Sequence, residues 1–299
     1  MASAGFLLGL SPVLLFAADA GAAAQIAILA NSKIVESSGI VASRRNPGVY
    51  WTHNDSGDGP FVYAFDRAGK DLGTWRLTGA QAVDWEDIAI GPGPVGGKPY
   101  LYLGDIGDNT RRRKEVVVYR VPEPAVSVTA PAWGIWQTEA VEAFRFRYPD
   151  GPHDAEALLI HPVSGELYII NKARGADSRT WVYKAKAPLR SGKPVVLDRI
   201  AELHFPDESS VTLLVGRVTG GDISPGGHSV ILCDYFHGYE LSLADRTNPN
   251  LDSIWKQPMK VVDLGKRKQG EGVCYRLDGK AVLATSEGTP CPLFETPFR

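Results

Sequence analysis

The sequence predicts an all-β fold, a β-propeller of four-stranded blades in which five blades are favoured over six. Three observations predict it: a strand pattern recurs five times, the composition is rich in turn formers, and a spare strand precedes the first repeat. The 299 residues include 32 glycines and 21 prolines, yet 44% of the chain is hydrophobic. This combination is typical of a folded, turn-rich protein with ample chain for one large domain.

Each repeat has a small or acidic turn, a short apolar strand, a second strand that ends near an acidic or amide residue, and a third, aromatic or β-branched strand. Candidate fourth strands lie between repeats, at residues 72–77, 142–148, 199–205 and 260–265. The apolar residues after the turns are 48, 70, 65 and 50 positions apart, and four strands in about 50 residues are the signature of a propeller blade. These marker residues are Ile40, Ile88, Leu158, Ile223 and Val273. A β-sandwich would not explain the recurring order.

The two ends of the chain are predicted to meet in the last blade. The fifth repeat has three strands, and the spare strand at residues 25–29 (QIAIL) precedes the first repeat. Pairing these segments would close the ring and remove an exposed sheet edge. A six-bladed ring is the alternative, with the sixth blade in residues 122–150 or 186–218.

Residues 1–24 are predicted to be a secretory signal peptide, which leaves residues 25–299 as a single domain that is secreted or periplasmic. Residues 6–16 (FLLGLSPVLLF) are apolar and are followed by small residues. This run is too short to span a bilayer, which favours a signal peptide over a membrane anchor. It lacks the basic residue that normally precedes the apolar part of a signal peptide. A disordered or buried apolar N-terminus is the alternative.

Charge and cysteine content exclude two classes of protein. The net charge is −2, whereas a general nucleic-acid binder needs a basic excess. Three cysteines are too few for a disulfide scaffold. Cys274 and Cys291 are the favoured disulfide pair by separation, and buried free thiols at Cys233 and Cys274 are the alternative. We expect a monomer.

Acidic residues recur at the turn before the first strand of the repeat. Glu86, Glu156, Glu271 and Asp222 occupy this place in four of the five repeats, and a propeller gathers such positions around one channel mouth. Clustered carboxylates repel one another and need a cation or bases nearby. With Asp105 from the end of a second strand, they predict a divalent-cation site, with Ca²⁺ favoured and Mg²⁺ or Mn²⁺ possible. Turn capping is the alternative, though Glu is a poor turn former.

Other polar residues near these turns are candidates for catalysis. Asp55, His153 and Asp222 are the candidate general bases. Lys172 and Arg111 would meet an anionic substrate, or else are solvated surface charges. The sequence contains no G-x-S-x-G elbow, P-loop, dinucleotide fingerprint, H-E-x-x-H or C-x-x-C motif.

Five motifs occur in order within roughly residues 37–297: DWEDIA (84–89), GDIGDN (104–109), YPDGPHDAEALL (148–159), VTGGDIS (218–224) and TSEG (285–288). They resemble a family of secreted bacterial β-propeller proteins, and at fold level the chain is similar to gluconolactonase/regucalcin-like and phytase-like propellers. The latter two imply calcium or another divalent cation in the channel and hydrolysis of lactones or phosphate esters. The chain lacks the dense Lys/Arg set of phytase-like proteins.

Two functions follow from this reading. The favoured one is a non-catalytic propeller whose mouth binds a cation and a small molecule, glycan or peptide, with Trp51, Trp85 and Tyr235 as contacts. The alternative is a metal-dependent hydrolase of a lactone, ester or phosphoester, in which the cation lowers the pKa of a bound water.

Overall fold

The computed structural model describes residues 20–127, 134–173, 179–206, 216–247 and 250–298, and these contain 22 strands and one 3₁₀ helix, Leu251–Lys256. The first eleven strands are Ala24–Ile28 (β1), Ser37–Ala42 (β2), Val49–Asn54 (β3), Phe61–Asp66 (β4), Asp71–Thr78 (β5), Trp85–Pro92 (β6), Pro99–Asp105 (β7), Val116–Pro122 (β8), Ile135–Ala140 (β9), Glu142–Arg147 (β10) and Ala155–Ile160 (β11). The others are Leu167–Asn171 (β12), Thr180–Ala185 (β13), Val195–Val196 (β14), Asp198–Leu203 (β15), Gly220–Ile223 (β16), Ser229–Cys233 (β17), His237–Ser242 (β18), Lys260–Asp263 (β19), Gly270–Tyr275 (β20), Ala281–Ser286 (β21) and Pro292–Pro297 (β22).

The strands form five sheets arranged in a ring, which confirms the five-bladed propeller. Blade 1 is β2-β3-β4-β5-β9, blade 2 is β6-β7-β8-β10-β14, blade 3 is β11-β12-β13-β15, blade 4 is β16-β17-β18-β19, and blade 5 is β20-β21-β22-β1. The innermost strands contact one another in the order β2, β6, β11, β16, β20, and β20 contacts β2 again. Among the described residues, no helix is both long and apolar enough to cross a bilayer.

The two long stretches that might have held a sixth blade instead widen blades 1 and 2. Strand β9 pairs parallel to β5, and β14 pairs parallel to the end of β10. Each therefore adds a fifth strand to the outside of an existing blade. The six-bladed alternative is wrong for the described parts of residues 122–150 and 186–218.

The N-terminal strand completes blade 5, as predicted. Strand β1 pairs antiparallel with β22, with Gln25 opposite Phe294 and Ile28 opposite Pro292. The pairing continues upstream, since Ala20 forms a bridge with Phe298. Residues 1–19 of the predicted signal peptide lie outside the described residues, and residues 20–24 run alongside the last strand.

The core lies between blades. Each of the five interfaces between neighbouring blades has its own cluster of buried apolar side chains. Inner strands are covered on both faces, so apart from the acids near their starts they consist mostly of small and apolar residues without a solvent-facing alternation. Full burial of one large apolar side chain stabilises the fold by roughly 1.5–3 kcal/mol.

All three cysteines are buried free thiols, so the predicted Cys274–Cys291 disulfide is absent. Cys274 and Cys291 pack in the apolar cluster between blades 5 and 1, and Cys233 packs between blades 4 and 5. They are small core residues, as the alternative interpretation had it.

Candidate metal centre

A β-bulge at the start of the inner strand directs polar side chains toward one mouth of the channel. The pairing register shifts at this point in blades 1, 2, 3 and 5. The residues at the bulges are Ser38, Glu86, Glu156 and Glu271, which are the positions that the repeat predicted. Bulges commonly re-aim side chains in this way.

The same backbone hydrogen bond recurs beside each of these bulges. In blades 1, 2, 3 and 5 the residue two positions before the bulge accepts a hydrogen bond from a residue just beyond the second strand. The acceptor carbonyls belong to Glu36, Asp84, Asp154 and Gln269, and the donors are Asp55, Gly107, Lys172 and Glu287. In each of these blades, the residue at the bulge, the residue two positions before it and the residue just beyond the second strand therefore lie close together.

Five carboxylates meet in two overlapping groups. Ligand atoms of Asp55, Asp84 and Glu86 lie within 4.8 Å of one another, and so do those of Glu86, Asp154 and Glu156. Glu86 belongs to both groups and is 2% exposed. We call these five residues the acidic cluster. Its oxygens are the donors that Ca²⁺, Mg²⁺ and Mn²⁺ prefer.

Lys172 supplies a buried positive charge to this cluster. Its Nζ donates to Oε1 of Glu156 at 2.7 Å and lies 5.0 Å from the centre of the Tyr235 ring. Burial would lower the pKa of Lys172, but the attraction of Glu156 outweighs it and raises the pKa. Lys172 is 3% exposed, so it is not a solvated surface charge.

Glu271 extends the acidic surface from blade 5. Gln269 donates from Nε2 to Oε1 of Glu271 at 3.2 Å. Oε2 of Glu271 is buried and has no hydrogen-bond partner among the described residues. Burial and the neighbouring Glu287 and Glu156 raise the pKa of Glu271 well above its usual value. A buried, unpaired carboxylate oxygen is costly unless a proton or cation satisfies it.

The cluster disfavours full ionisation in the absence of a cation. Burial first, and then the charges of Glu156, Asp55 and Asp84, raise the pKa of Glu86 well above its usual value. Burial and the neighbouring acids raise the pKa of Asp84 to about 6. A cation would replace the protons that otherwise hold these groups together.

Gly107 leaves space for the cluster. A Cβ atom at this position would overlap Oε1 of Glu86 and lie 2.6 Å from Oδ2 of Asp84. The equivalent residues in blades 1, 3 and 5 carry side chains. Arg113 fixes the loop, since its Nη1 donates to the Gly107 carbonyl at 2.7 Å and its Nη2 pairs with Asp105 at 2.7 Å.

The structure therefore gives Asp105 partners other than the predicted cation. Besides Arg113, its carboxylate accepts hydrogen bonds from the backbone N–H groups of Val83 and Asp84. Asp105 thus fixes the position of the backbone at Val83 and Asp84, just before Glu86.

The three predicted general bases are dispersed. Asp55 belongs to the acidic cluster. The Nε2 atom of His153 instead lies 3.0 Å from Asp150 and 2.9 Å from the Tyr183 hydroxyl. Asp222 accepts hydrogen bonds from the backbone N–H groups of Ile223 and Tyr275, and burial raises its pKa to about 7. It joins the inner strands of blades 4 and 5.

Of the three aromatic residues predicted to contact a ligand, two are buried in the core and one lies beside the acidic cluster. Trp51 and Trp85 are 0% and 1% exposed, and their indole N–H groups donate to Glu123 and to the Gln81 carbonyl. They are core residues and present no ring to a ligand at the mouth. Tyr235 is half-buried against Lys172, and Arg111 is exposed.

Sequence analysis missed Asp84 and Asp154 as members of the cluster. A signal for them exists, because Asp84–Glu86 and Asp154–Glu156 share the same D-x-E spacing in consecutive repeats. Blade 5 has Gln269 and Glu271 at the equivalent positions.

Comparisons with known proteins provide no family for the chain. No family model matches it, and no curated protein matches it. Among solved structures, it is similar to the WD40 domain of Pan2 from Neurospora crassa, with a TM-score of 0.45 and 8% sequence identity. The match covers 92% of this chain and 95% of that domain.

Proposed function

We propose that this protein is a secreted or periplasmic propeller that binds a divalent cation, Ca²⁺ in preference to Mg²⁺ or Mn²⁺, at the channel mouth. Glu86, Glu156 and their neighbours in the acidic cluster would hold the ion, and Glu271 would contribute from blade 5. A small polar ligand would bind beside it, and the role is non-catalytic. The family of secreted bacterial propellers that the motifs resemble is part of this proposal.

The observation that carries the proposal is the convergence of four carboxylates on that of Glu86, with Lys172 as their buried counter-charge. Coulomb repulsion between buried like charges is strong, and neutralisation by one ammonium group is incomplete. The space left by Gly107 lies against the same oxygens. An all-oxygen donor set fits a hard cation better than zinc or copper.

Thermal unfolding of metal-free protein, with Ca²⁺, Mg²⁺ or Mn²⁺ added back, tests the proposal. A site present only in the folded state raises Tm with ion concentration. The Glu86→Gln variant should lose this response while its metal-free Tm stays equal or rises, because the substitution relieves repulsion. Glu139→Gln removes an exposed glutamate from β9 and is the matched control.

An unchanged Tm with every ion, together with no metal in the purified protein, would overturn the proposal. A response retained in Glu86→Gln and also in Glu156→Gln would show that the ion binds elsewhere.

A metal-dependent hydrolase is the second candidate, and one observation favours it. Asp55 and Asp84 are only partly buried, unlike the other three carboxylates of the acidic cluster, so an ion held there would keep a coordination position open to water or substrate. The ion would lower the pKa of such a water and so generate the nucleophile. Lactone, ester and phosphoester substrates should be screened with the stabilising ion present, and turnover that is lost in Glu86→Gln but retained in Glu139→Gln would support metal-dependent hydrolysis at this site.

A further inference from the structure

A groove of about 610 Å³ lies beside the mouth on the blade 1 side. Its inner surface includes Tyr63 and Thr74, which are 2% and 5% exposed, and its rim includes the exposed Val35 and Ile135. Its volume is in the range of small-molecule sites, roughly 300–1,000 Å³. Residues of the acidic cluster do not line it.

The groove carries more negative than positive charge. Its lining contains two acids, Glu36 and Asp58, and one base, Lys33. Asp55 and Glu287 lie close enough to Glu36 to add to the negative potential. Glu36 forms no ion pair within the described ranges. A positively charged ligand is therefore favoured over a neutral or anionic one.

Asp58 is held in a fixed orientation. Its Oδ2 accepts hydrogen bonds from Nδ2 of Asn54 at 2.8 Å and from the Tyr63 hydroxyl at 2.7 Å. Its Oδ1 accepts from the backbone N–H of Gly59 at 2.8 Å. This charge is preorganised, so little entropy is lost when a ligand meets it.

Apolar and aromatic groups share the same groove. Phe61 is half-buried and packs against the apolar cluster between blades 5 and 1, and Val35 faces the groove with it. An ammonium group is attracted to both carboxylates and aromatic faces, and an apolar body gains from contact with Phe61 and Val35.

We propose that this groove binds an organic ammonium ion with a short apolar body. Glu36 and Asp58 would face the positive charge, and Phe61 would contact the body. This site goes beyond the proposed cation-binding function, because it uses different residues and does not need the metal.

Calorimetric titration of the full chain with three probes of one shape tests the charge requirement. The probes are 2-phenylethylamine, 2-phenylethanol and 3-phenylpropionate, each in metal-free protein and again with Ca²⁺. We expect the amine to bind about fivefold or more tightly than the alcohol, the ratio for an ion pair worth 1 kcal/mol. The carboxylate should not bind. Equal affinities for amine and alcohol would overturn the proposal.

Variants separate this site from the metal centre. Glu36→Gln should weaken amine binding about fivefold and leave the Ca²⁺ response unchanged. Phe61→Ala should weaken both amine and alcohol. Glu86→Gln should abolish the Ca²⁺ response and leave amine binding intact, and Glu139→Gln should change neither. Unaltered amine affinity in both Glu36→Gln and Asp58→Asn would place the amine elsewhere and overturn the proposal.

Discussion

Lys172 donates a hydrogen bond from Nζ to Oε1 of Glu156 at 2.7 Å, and each of the two side chains is only 4% exposed. This pair joins the residue just beyond the second strand of blade 3 to the bulge of the inner strand of the same blade. Glu156 also belongs to the acidic cluster with Glu86 and Asp154. The ammonium group and a bound cation would therefore share the same carboxylates.

Replacing Lys172 with Met should destabilise the metal-free protein by about 3–5 kcal/mol, because it leaves a buried carboxylate uncompensated. Urea unfolding measures this, and Ca²⁺ should restore more stability to the variant than to the wild type. Adding Glu156→Gln should recover much of the loss. Lys186→Met removes a 77% exposed lysine and should cost less than about 1 kcal/mol. Equal losses in the two lysine variants would contradict the structural role of Lys172.

The stability of the metal-free protein should fall as the pH rises from 4 to 8. Folding raises the pKa of Asp84 from 3.8 to about 6 and that of Glu86 well above 4.5. The folded state binds these protons more tightly than the unfolded chain does. The two groups therefore contribute fully to the free energy of unfolding below about pH 4, and this contribution is lost as the pH rises through their folded-state pKa values. Across this pH range, Tm should fall less steeply with pH in the Asp84→Asn variant than in the wild type. The rise in Tm caused by Ca²⁺ should grow with pH, since the ion displaces protons.

A methyl group at Gly107 should impair the metal centre. The added Cβ would overlap Oε1 of Glu86, so the loop or the carboxylates must move. We expect Gly107→Ala to lose most of the Ca²⁺ response in the thermal assay. Gly96→Ala is the control, because a Cβ there meets nothing within 4 Å. A full Ca²⁺ response in Gly107→Ala would argue against this position of the ion.

Asp222 should behave as a structural residue. Its carboxylate accepts hydrogen bonds from the backbone N–H groups of Ile223 and Tyr275, at 2.8 and 2.9 Å. Asp222→Ala would leave buried donors unsatisfied and should cost about 1–3 kcal/mol in urea unfolding. The Tm increase produced by Ca²⁺ should stay as in the wild type. Loss of that increase without loss of stability would reassign Asp222 to the metal centre.

The three cysteines should be unreactive in the folded protein. All are buried free thiols, and burial raises the pKa of Cys291 to about 11. A thiol-reactive dye should label none of them in buffer and all three after unfolding in urea without reductant. Labelling of a single thiol in urea would instead indicate a disulfide.

Much of the fold was predictable because its signals are local. Strand patterns and turn residues depend on neighbours in the chain, and their fivefold recurrence specifies blades. The spare strand before the first repeat predicted the pairing of β1 with β22. The extra strands β9 and β14 were not predicted, since each pairs with the preceding blade and not with the blade formed by its neighbours in sequence.

The candidate site was predictable only in part. Glu86, Glu156 and Glu271 were found because a propeller places equivalent repeat positions together. Asp105 and Asp222 are also acidic residues of the repeats, yet their carboxylates accept hydrogen bonds from backbone N–H groups, and Asp105 also pairs with Arg113. A carboxylate's role depends on which donors surround it, and spacing along the chain does not specify those donors.

The sequence by itself determined a closed propeller, with five blades favoured over six and acidic residues recurring at the turn before the inner strand, because strand periodicity and turns are encoded repeat by repeat. Only the tertiary structure decided that Asp84, Asp154 and Lys172 join Glu86 and Glu156, and that Trp51 and Trp85 are core residues. The physical reason is that burial and electrostatic coupling act between atoms of different blades. Their strength depends on distances of a few ångströms that arise only when the ring closes.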